Sequence, residues 1–326
     1  MAGYKNPKEH PQVLKEVLQG MKKSQKEVPC YLFYDQKGSQ LFEQICAQEE
    51  YYLTRTEISI MRDHINAIAA CFSPDSLLIE FGSGSGIKTR ILLDHLGVLA
   101  GYIPVDISET QLEQSTRELK KEYPDLKVNS LCLDYLQPFA LPEFKQTIRS
   151  RIVYFPGSTI GNFHPEQATA FLKRIRGLCG SEGGLLIGID LKKESKILHQ
   201  AYNDQAGVTA AFNKNLLVHL NSRFGAGFKV DQFEHQAFYN QELGRIEMHL
   251  MAKEQQQVKL NGEVFTIEKN ERIWTESSYK YEVDEFTHLA EQAGFYLKNL
   301  WSDSKQYFAV LFFQAAGRGK GTADQS

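Results

Sequence analysis

Cysteine is scarce in this sequence. Cys30, Cys46, Cys71, Cys132 and Cys179 make an odd count of five, with no C-x-x-C pair, in a chain of 326 residues. A disulfide framework is excluded as the source of stability, and a reduced, cytoplasmic setting is expected. No apolar run approaches the ~18 residues of a membrane span. Met1 to Val28 carries Lys, Glu and Gln where a signal peptide carries an apolar core, so neither secretion nor a membrane partner is expected. Basic runs interleaved with aromatics are missing too. A formal net charge of −3 and a pI near 6.3 supply no field for a polyanion, and no nucleic-acid partner is expected. The nine histidines form neither H-x-x-x-H nor H-E-x-x-H, the spacings that set two imidazoles on one helix face, so no metal site is expected.

With 42% hydrophobic and 24% charged residues, the chain has the balance of an ordinary globular protein, long enough for two domains or one elaborated domain. A monomer acting on a small molecule is the expectation. Residues 7–28 read as a charged amphipathic helix, and 317–326 as a flexible tail with too little apolar content to fold. From residue 77 onward short apolar runs alternate with helical patterns: Leu77 to Ile79, Gly101 to Val105, Val128 to Leu133, Ile152 to Phe155 and Leu185 to Ile189. Buried strands separated by helices indicate an α/β fold with a parallel sheet.

That pattern stops over residues 193–280, where helical stretches mix with alternating strands such as Gln236 to Leu250. It resumes with a helix near Val283 to Ala293. The strands Phe295 to Trp301 and Gln306 to Phe313 follow, joined by a short turn. The expected fold is a Rossmann-like sheet of the class I methyltransferase type, mostly parallel with an antiparallel last strand. Residues 57–192 and 281–316 would form it, and an inserted α+β substrate-binding domain would comprise 7–56 and 193–280.

Strand Leu77 to Phe81 runs into Gly82-Ser83-Gly84-Ser85-Gly86 and then a helix near Lys88. Glycines there permit close approach of a nucleoside ligand at a helix N-terminus, although such a run is also found in plain tight turns. Asp106 ends the second strand 20 residues beyond Gly86, where a carboxylate accepts from ribose hydroxyls. That spacing suits NAD and S-adenosylmethionine alike. Asp134-Tyr135, at the end of the third strand, offers a carboxylate and a ring for an adenine amino group and face, which favours S-adenosylmethionine. Helix capping is the competing reading of Asp106 and Asp134.

Several long blocks then occur in order: Phe33-Tyr34-Asp35-Gln36-Lys37-Gly38-Ser39 to Glu43, Glu50-Tyr51-Tyr52-Leu53-Thr54-Arg55-Thr56-Glu57, Phe81-Gly82-Ser83-Gly84 to Arg90, Pro104-Val105-Asp106-Ile107-Ser108, Pro156-Gly157-Ser158-Thr159-Ile160-Gly161-Asn162-Phe163, and Ala201-Tyr202 with Gly207-Val208-Thr209 to Asn213. The chain resembles the ergothioneine-pathway histidine Nα-methyltransferases in these blocks. Gln48-Glu49-Glu50 departs from the family's more apolar lead-in. The resemblance implies transfer of three methyl groups from S-adenosyl-L-methionine to L-histidine, giving hercynine, without a metal. It implies cofactor contacts from Gly82, Lys88, Asp106, Asp134 and Tyr135. Asn162 and Tyr202 would recognise the substrate carboxylate, with Tyr34, Tyr52 and the Gly157 backbone near the reacting amine. Met248 would line the pocket, and Glu276 with Ser278 would clamp the imidazole.

The residue types suit that chemistry. Displacement at a sulfonium methyl needs a neutral amine held in line, so positioning dominates. Tyrosine faces and hydroxyls stabilise an amine as it becomes quaternary without favouring the inert ammonium as a carboxylate would. Glu276 and Ser278 are two apart and leave the same face of a strand, and a carboxylate with a hydroxyl complements the donor and acceptor nitrogens of neutral imidazole. Structural readings stand beside these: Asn162 as a cap before Pro165, Tyr51 and Tyr52 as core aromatics, Met248 as core, and Glu276 in an exposed ion pair with Lys280; His249 is left unassigned, exposed strand histidines being common. Other functions compatible with the motifs are methylation of a different amino acid or of partly methylated histidine, and an NAD-dependent oxidoreductase or nucleotide-binding module.

Overall fold

The computed structural model describes residues 10–84 and 86–316. In chain order, helices α1 (His10–Met21), α2 (Gln36–Ala47) and α3 (Tyr52–Ala69) lead into strand β1 (Ser76–Phe81), α4 (Ile87–Leu93), β2 (Gly101–Asp106), α5 (Glu109–Glu122), β3 (Leu131–Cys132), β4 (Ser150–Phe155), α6 (Pro165–Cys179) and β5 (Gly184–Asp190). Then come α7 (Ser195–Tyr202), α8 (Val208–Phe224) and the strands β6 (Phe233–Asn240), β7 (Arg245–Ala252), β8 (Gln256–Leu260), β9 (Glu263–Ile267) and β10 (Arg272–Tyr279). Helix α9 (Val283–Glu291) and strands β11 (Phe295–Ser302) and β12 (Phe308–Ala315) close the chain. Two compact units result, one of residues 55–191 with 281–316, the other of residues 10–54 with 192–280. Among the described residues no helix is long and apolar enough to cross a membrane.

The first unit is built on a seven-stranded sheet in the order β11-β12-β5-β4-β1-β2-β3. Strands β5, β4, β1, β2 and β3 run parallel, and β12 is antiparallel to both of its neighbours, as the apolar pattern led us to expect. The physical reason lies in the connections. Crossover helices return the chain to the same end of the sheet, whereas the tight turn after Ser302 allows only reversal. In that turn Asp303 Oδ1 accepts from Tyr307 and Phe308 N–H at 2.8 and 2.9 Å. Every residue of β1 and β5 is buried, the signature of strands covered on both faces. Helix α5 packs on β2, α6 on β4 and β5, and α9 on β11. Local signals start the helices: His164 N–H donates to Gln167 Oε1 at 3.1 Å ahead of Pro165 in α6, and Glu282 N–H to Glu285 Oε2 at 3.0 Å in α9.

The second unit holds an antiparallel sheet in the order β10-β7-β6 and the hairpin β8-β9. Helix α8 packs on β6 and β7 and on α2. The charged N-terminal segment departs from the expectation of one helix over 7–28. Residues 7–9 lie outside the described residues, α1 ends at Met21, and the chain beyond it becomes extended. Trp274 N–H donates to Lys26 O at 2.8 Å and Val28 N–H to Trp274 O at 2.9 Å, so a sheet edge satisfies backbone groups that a longer helix would have satisfied internally. The expected tail 317–326 also lies outside the described residues. The third strand is shorter than the run Val128 to Leu133 suggests: only Leu131–Cys132 pair as a strand, with a single bridge from Val128 to Tyr102. As the sheet's edge it has one neighbour, and the exposed Asn129 and Ser130 interrupt its apolar face.

Candidate cofactor and substrate sites

In the sheet order β1 lies between β4 and β2, so successive crossovers leave it in opposite directions and part at the carboxyl ends of these strands. Such a switch point is where open α/β sheets take ligands. Gly82 follows β1 with φ 70°, its N–H bonded to Val105 O at 2.8 Å, and a Cβ built there would meet nothing within 4 Å. Open space therefore stands over this backbone. Beside it Asp106 Oδ2 accepts from Gly84 N–H at 3.3 Å and Oδ1 from Ser108 N–H at 3.0 Å. Burial raises the Asp106 pKa, opposed by those N–H donors. The carboxylate thus ties the glycine loop to the end of β2. Asp134 Oδ1 accepts from Leu136 N–H at 2.9 Å, which forms a turn and turns the Tyr135 ring into an aromatic cluster, 5.1 Å from Phe81 and 5.6 Å from Phe171.

Lys88 is held from an unexpected quarter. Its Nζ lies 2.6 Å from Glu57 Oε2, and the same buried carboxylate accepts from Gly157 N–H at 3.0 Å. Gly157 has φ 79°, a left-handed backbone angle that favours glycine, and an added Cβ would stand in ordinary contact, 3.4 Å from Lys88 Nζ. Its N–H faces Glu57. Ser158, also left-handed at φ 58°, accepts from Asp190 N–H through Oγ at 2.8 Å and sends the chain into a 3-10 turn over Thr159–Asn162. Asn162 ends that turn. It does not cap α6, since His164 occupies that position.

The remaining candidates belong to the second unit. Tyr34 packs edge-on to Phe42 and Phe212, with centroids 5.7 and 5.9 Å away. Tyr52 is buried, its hydroxyl accepting from Lys193 Nζ at 2.6 Å. Tyr51, also buried, lies 6.2 Å edge-on from Tyr202. Tyr202, at the end of α7, donates to Ser278 Oγ at 2.8 Å, which joins two residues that the resemblance sends to opposite ends of a substrate. Met248 stands opposite Glu276, and Ile246 opposite Ser278, across the β7/β10 pairing. Burial pushes the Glu276 carboxyl up to about 7, with Lys280 drawing it down.

Two competing sequence readings are corrected here. Lys280 is 2% exposed, and donates to Ser278 Oγ and Tyr202 Oη at 2.8 and 3.0 Å, so it is not the surface lysine of an exposed ion pair with Glu276; a lysine at the inward end of a strand is drawn to the hydroxyls buried with it. His249 is 4% exposed, stacked between Phe238 and Trp274, because flat aromatic neighbours on adjoining strands cover the ring.

A family model described as histidine-specific, S-adenosylmethionine-dependent methyltransferase matches residues 13–315. The chain belongs to this family. The histidine N-alpha-methyltransferase of Mycobacterium tuberculosis is 35% identical to it, spanning 92% of this chain and 94% of the relative. The protein of that name from Mycolicibacterium smegmatis is 36% identical, spanning 91% and 92%. Ergothioneine biosynthesis protein 1 of Schizosaccharomyces pombe is 30% identical over 86% of this chain, which spans 38% of that protein.

The first unit of this family member fits S-adenosylmethionine on its own geometry. Gly82 leaves room for a ligand against the backbone, Asp106 presents a carboxylate at the end of β2, and Asp134 with the Tyr135 ring flanks the same strand ends. Among the described residues no group of three or more His, Cys, Asp and Glu side chains has the arrangement of a metal site. Glu57 and Lys280 were given no functional role by the sequence. Glu57 falls inside the quoted block that ends Leu53-Thr54-Arg55-Thr56-Glu57, and Lys280 follows the Glu276/Ser278 pair at the same spacing of two. Those positions are the only signals that point to them, since an isolated Glu or Lys reads as surface.

Proposed function

We propose that this methyltransferase trimethylates the α-amino nitrogen of free L-histidine, giving hercynine, with Gly82, Lys88, Asp106, Asp134 and Tyr135 holding the cofactor and Asn162, Tyr202, Met248, Glu276 and Ser278 holding the amino acid. The observation that carries the reading is the pairing of a carboxylate and a hydroxyl, Glu276 and Ser278, on one strand of a chain that matches the histidine-specific family from residue 13 to 315. S-adenosylmethionine supplies an electrophilic methyl group on sulfonium, so the chain needs no group that makes or breaks bonds itself.

Its residues orient and protect the nucleophile. The α-amine must release its proton to solvent before it attacks, each transfer then breaking the sulfur–methyl bond and leaving S-adenosylhomocysteine, and Tyr34 and Tyr52 offer oxygen and ring faces, not a carboxylate that would favour the ammonium. As nitrogen gains methyl groups it loses donors, while ring faces continue to stabilise the cation by ~0.5–2 kcal/mol each. Ionised Glu276 accepts from one imidazole N–H, and Ser278 faces the other nitrogen. A hydrogen-bonded pair of this kind rejects rings lacking the matching groups by ~10⁴ or more, which an apolar pocket does not. The working form we propose is a cytoplasmic monomer acting on the free amino acid without nucleic acid or membrane; all five thiols are free, which suits a reducing compartment.

Mass spectrometry of purified protein with S-adenosylmethionine and an equimolar pool of the twenty amino acids tests the reading. Histidine alone gaining one, two and three methyl groups is the expected result. Methylation of another amino acid would overturn the assignments of Glu276 and Ser278 while leaving the cofactor residues standing.

A further inference from the structure

Lys280 raises a question that packing does not answer. A buried ammonium is costly, and a methionine would fill similar volume without that cost. Lys280 is nevertheless held in place: its own N–H donates to Gly244 O at 2.8 Å, and Nζ lies 4.9 Å from the Tyr202 ring centroid while donating to Ser278 Oγ and Tyr202 Oη.

An ammonium only donates. Both oxygens must turn a lone pair toward Lys280. Ser278 Oγ has two lone pairs and one proton. One lone pair accepts from Lys280 at 2.8 Å, and the other from the Tyr202 hydroxyl at 2.8 Å. Its acceptor capacity is filled, and what Ser278 offers a ligand is its proton. Glu276, two residues earlier on β10, is an acceptor when ionised. A ring that satisfies both must carry one N–H and one bare nitrogen.

We propose that Lys280 is a positioning residue for substrate choice: by occupying Ser278 together with Tyr202 it fixes the Ser278 hydroxyl as a donor, so the site demands a ring with a bare acceptor nitrogen as well as an N–H. This rests on the histidine reading above. It accounts for a feature that reading leaves open, namely why a serine, able to donate or accept, should discriminate imidazole from pyrrole, indole or phenol rings. Truncating the ammonium frees a lone pair on Ser278 and lets the hydroxyl turn, so the requirement for the second nitrogen relaxes.

The test compares kcat/KM for L-histidine with that for the two pyrrolylalanines, which keep an N–H at one or other ring position and lack the second nitrogen. In Lys280→Met the preference for histidine is expected to fall by ~10-fold or more, with S-adenosylmethionine binding by calorimetry unchanged. In a Ser278→Ala background the same substitution should leave the preference where Ser278→Ala put it. Equal loss on all three amino acids with the preference intact, or multiplicative effects of the two substitutions, would overturn the proposal. Should Lys280→Met fail to bind cofactor, Lys280→Gln, which keeps a single neutral donor, is read by the same ratio. Failure of the wild-type protein to methylate histidine sinks the functional reading, whereas wild-type turnover with an unmoved ratio in the variants sinks only the role of Lys280.

Discussion

At Glu276 the sequence supplied the residue and the structure supplied its charge balance. Burial holds the carboxyl near 7, above its ordinary 4.5. A carboxyl raised in this way binds its proton more tightly when the protein is folded. Its contribution to stability is therefore present below about 4.5 and is lost as pH rises through about 7. Glu276→Gln should accordingly raise the thermal midpoint of the ligand-free protein at pH 8, by the equivalent of ~1–2 kcal/mol, with little gain at pH 4.5. Histidine turnover should drop by ~10²-fold or more because the acceptor for the ring N–H is weakened, and cofactor binding should hold. A variant that loses cofactor binding in parallel would remove Glu276 from substrate recognition. The pair Glu276/Ser278 was legible because strand periodicity puts residues two apart on one face. The links of Glu57 to Lys88 and Gly157 were not, because Glu57 lies 31 and 100 residues away from them.

The elements were legible in proportion to how continuous their apolar runs are. Strands β1, β2, β4, β5 and β12 follow the runs closely, since a strand buried on both faces needs apolar residues nearly throughout. The edge strand β3 and the end of α1 were misjudged because hydrogen-bond partners outside the segment decided them. Helix α8 shows a tertiary-looking feature that is in fact local. Asp204 Oδ2 accepts from Val208 N–H at 2.7 Å and Oδ1 from Thr209 N–H at 2.8 Å, at the helix start. Burial raises the Asp204 carboxyl, but the donors of Thr209 and Val208 outweigh it and the net pKa is lowered. A lowered carboxyl stabilises above its unfolded pKa and ceases to do so as pH falls through its folded value. Asp204→Ala should cost ~1 kcal/mol at pH 7, read from denaturant midpoints, and the difference from wild type should shrink toward pH 3. A constant difference across that range would mean that packing, not the charged cap, was lost.

At the scale of the whole molecule, ligand linkage separates the cofactor assignment from its NAD-binding rival. S-adenosylmethionine at ~100 times its Kd should stabilise the folded chain by ~2.7 kcal/mol, a thermal shift of roughly 3–6 °C, and NAD at the same concentration should produce none. The reverse result would return the glycine loop and Asp106 to the dinucleotide reading. Composition, apolar periodicity and ordered motif blocks carried enough information to specify the α/β class, the antiparallel closing strand and the family, because each of these is written in neighbouring residues or in fixed short spacings. Which polar groups meet in the folded chain was decided only by tertiary structure. Tyr202 and Lys280 are 78 residues apart, and whether an ammonium binds a carboxylate or a pair of hydroxyls depends on which acceptors are buried with it, a property of three-dimensional neighbours to which local sequence is blind.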